Sequence, residues 1–344
     1  MTPRTPPRAV TVGEGLAVLV AHPGPLEDSA SFERAAGGAE ANVATVLAQL
    51  GVETAWLSRV GADGFGRYLI DNLAARGVDV SAVTTDPARA TALYIKERGG
   101  GSAHPTDLAA GQSRMLYYRT GSAASALAPA DLAAPAAARL LDGCDLVHFS
   151  GITTALSPAT TALTEAIVTM PRRGRLVGFD LNYRPRLWSG RADAAADILA
   201  RHVRAADIAF LGADEAGELF GVDDPDRLRA LFPEPRTLIV KDDARAVIGY
   251  EGTHRISVPA LRIEVTERIG AGDGFAGGYL AAMLHDLPPA QRLRYGHLCA
   301  AAALTGTGDA PVLPPAATLA ALARLDDHAW ARLDFTAATR DVAS

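Results

Sequence analysis

From residue 145 onward, short apolar runs alternate with helix-like stretches, and this alternation constrains the possible fold more than any other feature. Candidate strands lie at 145–150, 176–180, 207–211 and 237–241, separated by enough chain for a helix and its two turns. Parallel strands require crossovers of that length. The pattern therefore predicts βαβ units: an α/β fold with a doubly wound, mostly parallel sheet flanked by helices. Three short, close-spaced runs at 247–250, 254–258 and 262–265 suggest a small antiparallel edge, and two Ala-rich helices are expected at about 271–285 and 290–304.

The first half is less regular. Residues 10–20 read as β-like and contain Gly13-Glu14-Gly15. Gly37-Gly38 opens a helix whose Val43, Val46, Leu47 and Leu50 recur at i, i+3, i+4 and i+7, with Gly51 closing it. A strand at 55–60 leads through a glycine turn into a helix ending at Gly77, and 91–96 and 114–119 read as strands joined by an aperiodic stretch, 99–111. The Ala-rich segment 124–141 is expected to be helical after Pro129, and the first eight and last fifteen or so residues read as loose ends.

A chain of 344 residues, 49% of them hydrophobic, can bury a core for one large α/β domain. Its net charge of −6, with Lys and Arg dispersed, argues against nucleic-acid or membrane partners. Cys144 and Cys299 are far apart and in no metal-binding spacing, as expected of buried thiols in a reducing compartment. The basic N-terminal residues lead into no apolar core, and no apolar run approaches membrane-spanning length. The expected location is cytoplasmic.

The stretch Gly270-Ala271-Gly272-Asp273-Gly274-Phe275-Ala276-Gly277-Gly278 carries the most chemistry. A strand ends, a glycine turn follows, and a helix starts almost without side-chain bulk. Unpaired N–H groups at such a start suit a phosphate or an oxyanion. Asp273, in the first turn, is placed to accept a proton from a substrate hydroxyl lying against that anion. Two readings remain open from the residues alone: Asp273 as a general base, or Asp273 as a cap on a tightly packed helix. Gly272–Gly277 also fits G-x-G-x-x-G, but the pattern falls late, and no acidic residue between 287 and 308 is available for a ribose hydroxyl.

Together, 37–44 (Gly-Gly-Ala-Glu-Ala-Asn-Val-Ala) and 269–278 (Ile-Gly-Ala-Gly-Asp-Gly-Phe-Ala-Gly-Gly) resemble the ribokinase-like, PfkB-type carbohydrate kinases, from about residue 10 to residue 325. The resemblance implies a single kinase domain over 1–344 with a small β-sheet lid drawn from about 12–36 and 90–120, and a tail at 326–344. It implies ATP and Mg²⁺ as cofactors, with K⁺ as a further candidate, and a homo-oligomer, dimer or larger. Asp273 would be the base, with Gly270, Ala271 and Gly272 forming the hole for the transferring phosphate.

Within that family the chain looks most like 2-keto-3-deoxygluconate kinases, on the runs 37–40, 116–123, 150–153 and 180–188. An acid sugar brings a carboxylate, which a planar guanidinium can grip with two hydrogen bonds. By resemblance, Gly37, Gly38, Asn42, Tyr94, Tyr117, Arg119, Arg184 and Asp309 would contact the sugar. Tyr117 and Tyr118 point to opposite faces of a strand, so only one of them can meet it directly. Asn42 could instead satisfy a buried helix start, and Arg184, before Pro185, could serve a purely structural turn. His148 sits mid-strand, as core histidines do.

The nucleotide side departs from the family. Its Lys-x-Gly-x-x-Gly turn reads Lys241-Asp242-Asp243-Ala244-Arg245-Ala246 here, and the Asn of its Asn-x-x-Glu motif is Gly212, with Glu215 kept to hold Mg²⁺ through water. By resemblance, Asn182, Arg184, Lys241, Asp243, Arg245, Ala246, Gly270 and Gly272 would line the nucleotide. Three functions follow as candidates: a 2-keto-3-deoxygluconate kinase, a kinase for a neutral ketose or pentose, and a sugar-binding protein that has lost ATP turnover.

Overall fold

A computed structural model describes residues 5–242, 245–266, 269–306 and 311–340. Among them are thirteen strands: β1 (Arg8–Val12), β2 (Leu16–Pro23), β3 (Phe32–Gly37), β4 (Glu53–Gly61), β5 (Val83–Asp86), β6 (Leu93–Arg98), β7 (Ser113–Tyr118), β8 (Leu146–Ser150), β9 (Leu176–Asp180), β10 (Ile208–Gly212), β11 (Thr237–Asp242), β12 (Ala246–Glu251) and β13 (His254–Pro259). The large sheet runs β13-β12-β11-β10-β9-β8-β1-β4-β5. From β5 through β11 all neighbours are parallel, and only β12 and β13 join antiparallel at one edge.

The central strands are apolar on both faces, as a sheet covered by helices on each side requires. In β10, Ala209 and Leu211 enter one core with Val147, Phe149, Val177 and Phe179. Ile208 and Phe210 enter the other, with Phe275, Tyr279 and Leu298. The second core is covered by three helices, Ala39–Gln49, Ala271–Leu284 and Pro289–Thr305. Their small residues set the spacing. A Cβ on Gly277 would lie 2.7 Å from Val46, and one on Gly278 would lie 2.6 Å from the Tyr295 carbonyl. Close helix approach accounts for glycines that could pass for a dinucleotide fingerprint.

Strands β3-β2-β6-β7 form a separate four-stranded sheet. The single β-like stretch expected over 10–20 is two strands in two sheets. It breaks at Gly13–Gly15, where a Cβ on Gly13 would sit 2.2 Å from Glu40 Cδ and one on Gly15 would sit 2.7 Å from the Trp56 ring. The strand expected at 262–265 is reduced to one bridge, Arg262 to Asp334. Nor are residues 327–340 loose: short helices at Asp327–Ala331 and Phe335–Arg340 bury Trp330 and Phe335 in the second core. The apolar anchors at 330 and 335 are too sparse to give a periodic signal. No described helix is long and apolar enough to cross a membrane.

Candidate active site

Open parallel sheets bind ligands at the carboxyl ends of their strands. Here β1 ends at Val12, just before Gly13, and β8, β9, β10 and β11 end at Ser150, Asp180, Gly212 and the Lys241–Asp242 pair, and the helix Ala271–Leu284 begins beside them. Gly270 caps that helix at φ 79°, a left-handed conformation suited to glycine. No side chain caps the start. The turn therefore presents backbone amides of the kind that bind anions.

Asp273, half-buried, is held by two amides. Asn42 Nδ2 donates to its Oδ2 at 2.9 Å, and Asn182 Nδ2 approaches its Oδ1 at 3.5 Å. Asn182 sits just past β9 at φ 36°, which asparagine tolerates better than most residues. Burial raises the Asp273 carboxyl above its ordinary range; the Asn42 hydrogen bond opposes this, Asp180 adds to it, and Lys241 and Arg184 oppose it.

Two ion pairs flank this carboxylate. Lys241 Nζ donates to Asp180 at 3.1 Å (Oδ1) and 2.8 Å (Oδ2), and Arg184 Nη1 donates to Glu215 Oε1 at 2.6 Å. Glu215 is raised by burial against the pull of Lys241 and Arg184, and its buried Oε2 has no hydrogen-bond partner. A Cβ on Gly212 would lie 3.2 Å from that Oε2, so glycine at 212 leaves room for Glu215.

Two further acids, Glu40 and Glu14, are buried. Glu40 Oε1 accepts from Ser150 N at 2.9 Å and from Ser150 Oγ and Thr153 Oγ1, both at 2.7 Å. Burial pushes Glu40 up to about 7 despite those donors, with Asp273 adding to the rise. Glu14 accepts from Ser122 Oγ at 2.6 Å and forms a buried ion pair with Arg119. Arg119 Nε and Nη2 are buried and make no hydrogen bond of good geometry. The Arg119 guanidinium lies 5.6 Å from the Tyr117 ring centroid, and Tyr117 lies 5.2 Å from Tyr94, its register partner across β6 and β7. Tyr117, not Tyr118, thus shares a face with Tyr94.

A family profile described as "pfkB family carbohydrate kinase" matches residues 10–316. The chain belongs to this family. It is therefore an ATP-dependent sugar kinase. Among curated proteins it is 35% identical to the 2-dehydro-3-deoxygluconokinase of Thermoproteus tenax, over 89% of this chain and 90% of that one. It is also 30% identical to Fructokinase-1 of Oryza sativa subsp. japonica, over 84% and 88%. Among solved structures, the PfkB protein from Polaromonas sp. JS666 superposes with a TM-score of 0.77 at 31% identity, covering 87% of this chain and 96% of that one.

Within this kinase the expected residues are gathered unevenly. Asn42, Asn182, Arg184, Lys241, Glu215 and the 270–273 turn form one polar cluster, and Tyr94, Tyr117 and Arg119 form a second on the small sheet. Gly38 caps the Ala39–Gln49 helix at φ 117°, and a Cβ there would meet the Glu14 carbonyl at 2.3 Å. Its place in the motif thus has a packing reason, while Gly37 ends β3. Arg245 is exposed and pairs with Asp242 at 2.5 Å, and no described contact ties it or Ala246 to the Asp273 cluster. Asp243 and Asp309 lie outside the described residues. His148 is a buried histidine held neutral by burial, about 4, with its ring edge-on to Phe210.

Sequence reasoning did not single out Glu14, Glu40 or Asp180. Each carried a signal: an acid between two glycines, an acid inside an apolar helix start, and an acid ending an apolar strand. Buried acids without a purpose are costly, which makes such positions worth marking.

Proposed function

We propose that this kinase transfers the γ-phosphoryl group of ATP to the terminal 6-hydroxyl of 2-keto-3-deoxygluconate. The observation that carries the reading is the Arg119 guanidinium: it lies beside Tyr117, its Nη2 is ion-paired with Glu14, and its buried Nε lacks a hydrogen-bond partner. An unsatisfied buried donor is expensive, and a sugar carboxylate would satisfy it. Similarity to 2-dehydro-3-deoxygluconokinases over nine-tenths of the chain supports the same substrate class.

In this reading the substrate hydroxyl lies against Asp273, which Asn42 and Asn182 aim. The hydroxyl oxygen bonds to the γ-phosphorus, the bond from phosphorus to the ADP oxygen breaks, and the hydroxyl proton passes to Asp273. Amides at 270–272 hold the phosphoryl oxygens, where preorganised donors cost no reorganisation as charge shifts. Lys241 and Arg184 face the polyphosphate. Magnesium, when bound, would neutralise triphosphate charge and would be held through water by Glu215, whose buried unpartnered Oε2 fits that role.

A second reading has its own support. Arg119 is already paired with Glu14, and the chain is also similar to fructokinases, so a neutral ketose is the competing acceptor. A panel of 2-keto-3-deoxygluconate, fructose and ribose with ATP and magnesium separates the two. The proposal expects the highest kcat/KM for the acid sugar and loss of that preference in Arg119→Ala. Equal or better use of fructose would overturn it. Asp273→Asn should lower kcat by about 10²–10⁴-fold with sugar binding retained, and ordinary turnover would remove the base assignment.

A further inference from the structure

Asp180 and Lys241 form the most enclosed charged pair at the phosphoryl site. Asp180 ends β9 and is 3% exposed, and the Lys241 side chain is 19% exposed. The strands that carry them are not neighbours. β10 runs between them, with Phe210 in register with Asp180 and Gly212 in register with Lys241. The pair therefore reaches diagonally across the end of β10, which carries no side chain at 212.

The direction of that reach matters. Lys241 Nζ lies 3.5 Å from where a Cβ on Gly272 would stand, so the ammonium rests against the glycine turn itself. An ammonium has three N–H donors, and the two oxygens of Asp180 engage at most two of them. The remaining donor is beside the turn. Among the described residues, Glu215 of the helix Ala213–Phe220, Arg184 after β9 and Asp273 are charged groups around the pair, and His148 of β8, held neutral by burial, also interacts with it. Burial works against the Lys241 charge, but Asp180 and then Glu215 outweigh it, and the ammonium is held above its ordinary range.

We propose that Asp180 is a positioning residue that fixes the Lys241 ammonium at the 270–272 turn, so that a cation of the chain itself offsets charge on the migrating phosphoryl group. This rests on the reading that the phosphoryl group passes through that turn. The physical reason for a holder is the lysine stem: four flexible carbons give the ammonium many positions, and Glu215 is a competing anion within electrostatic reach. Two hydrogen bonds from a buried carboxylate select one position. A charge set in advance contributes more than one that must reorient during transfer.

The test compares Lys241→Met, Asp180→Asn and the double variant in the full-length enzyme, with ATP, magnesium and whichever sugar gives the highest kcat/KM. Lys241→Met should lower kcat by about 10²-fold, the order lost when one transition-state donor is removed. Asp180→Asn should lower it by about 10-fold, as loss of a residue that orients a charged group does, with the sugar KM nearly unchanged. The double variant should be no slower than Lys241→Met, because Asp180 acts through the lysine. The alkaline limb of the kcat profile should move to lower pH in Asp180→Asn, since losing the anion lowers the ammonium's affinity for its proton.

Wild-type kcat in Asp180→Asn, or multiplicative losses in the double variant, would overturn the proposal. If Asp180→Asn does not fold by circular dichroism, Lys241→Met decides alone, and wild-type kcat there overturns it. Failure of the underlying site reading looks different: Asp273→Asn would then keep ordinary turnover.

Discussion

Replacing Glu40 by glutamine should make the kinase's stability less sensitive to pH, by an amount the structure sets. Glu40 is fully buried, and its Oε1 accepts three hydrogen bonds that a glutamine carbonyl can also accept. Burial raises its carboxyl from an ordinary 4.5 to about 7. Below pH 4.5 the group holds its proton in both folded and unfolded chains and contributes no pH-dependent penalty. Between 4.5 and about 7 the unfolded chain releases the proton while the folded chain keeps it, so folding weakens as pH rises. Above about 7 both states are ionised and the penalty is constant. At roughly 1.4 kcal/mol per unit, the wild type should lose about 2.5 kcal/mol between pH 5 and 8 that Glu40→Gln does not. With an unfolding entropy of about 2.1 cal/mol/K per residue, this corresponds to roughly 3–4 °C. Calorimetric melting of both proteins across that range should therefore show the gap Tm(variant) minus Tm(wild type) widening by that amount as pH rises. A fixed offset from the extra amide hydrogens leaves the slope untouched. Parallel Tm curves would show that Glu40 is ionised throughout and that burial is not holding its proton.

Two further outcomes follow from the same geometry. Because burial raises Asp273, the acidic limb of the kcat profile should lie above the ordinary aspartate value of 3.8, and Asn42→Ala, which removes a donor to the ionised form, should move it higher still; a limb that stays put or falls would contradict the Asn42 contact. Gly278→Ala would press a methyl group to 2.6 Å from the Tyr295 carbonyl and 2.7 Å from Cys299 Sγ, costing about 1–3 kcal/mol in urea titration, and a variant of wild-type stability would show that the two helices can part without loss.

The parallel sheet was legible because buried strands and their crossovers leave a local record: apolar runs of five or six residues at crossover spacing, as at 146–150, 176–180 and 208–212. The glycine turn was legible for a related reason, since a left-handed Gly270 and a nearly side-chain-free helix start require particular residues within a few positions. The antiparallel edge was read one strand too long. Residues 262–265 have strand-like composition, but only Arg262 finds a partner, Asp334, more than seventy positions away. The β-like stretch 10–20 hid a switch between sheets, because both of its halves are extended and only packing against Trp56 and Glu40 separates them.

By itself, the amino-acid order determined the layered α/β architecture, the glycine turn and the identity of Asp273 as its acid, because each depends on residues close together in the chain. Tertiary structure alone decided what surrounds that acid. Asn42, Lys241 and the Asp180–Asn182 stretch come from three separate segments, and Glu14 meets Arg119 across more than a hundred residues. The physical reason is that the charge of a buried group is set by its neighbours in space, and strand order, which the local pattern does not encode, chooses those neighbours.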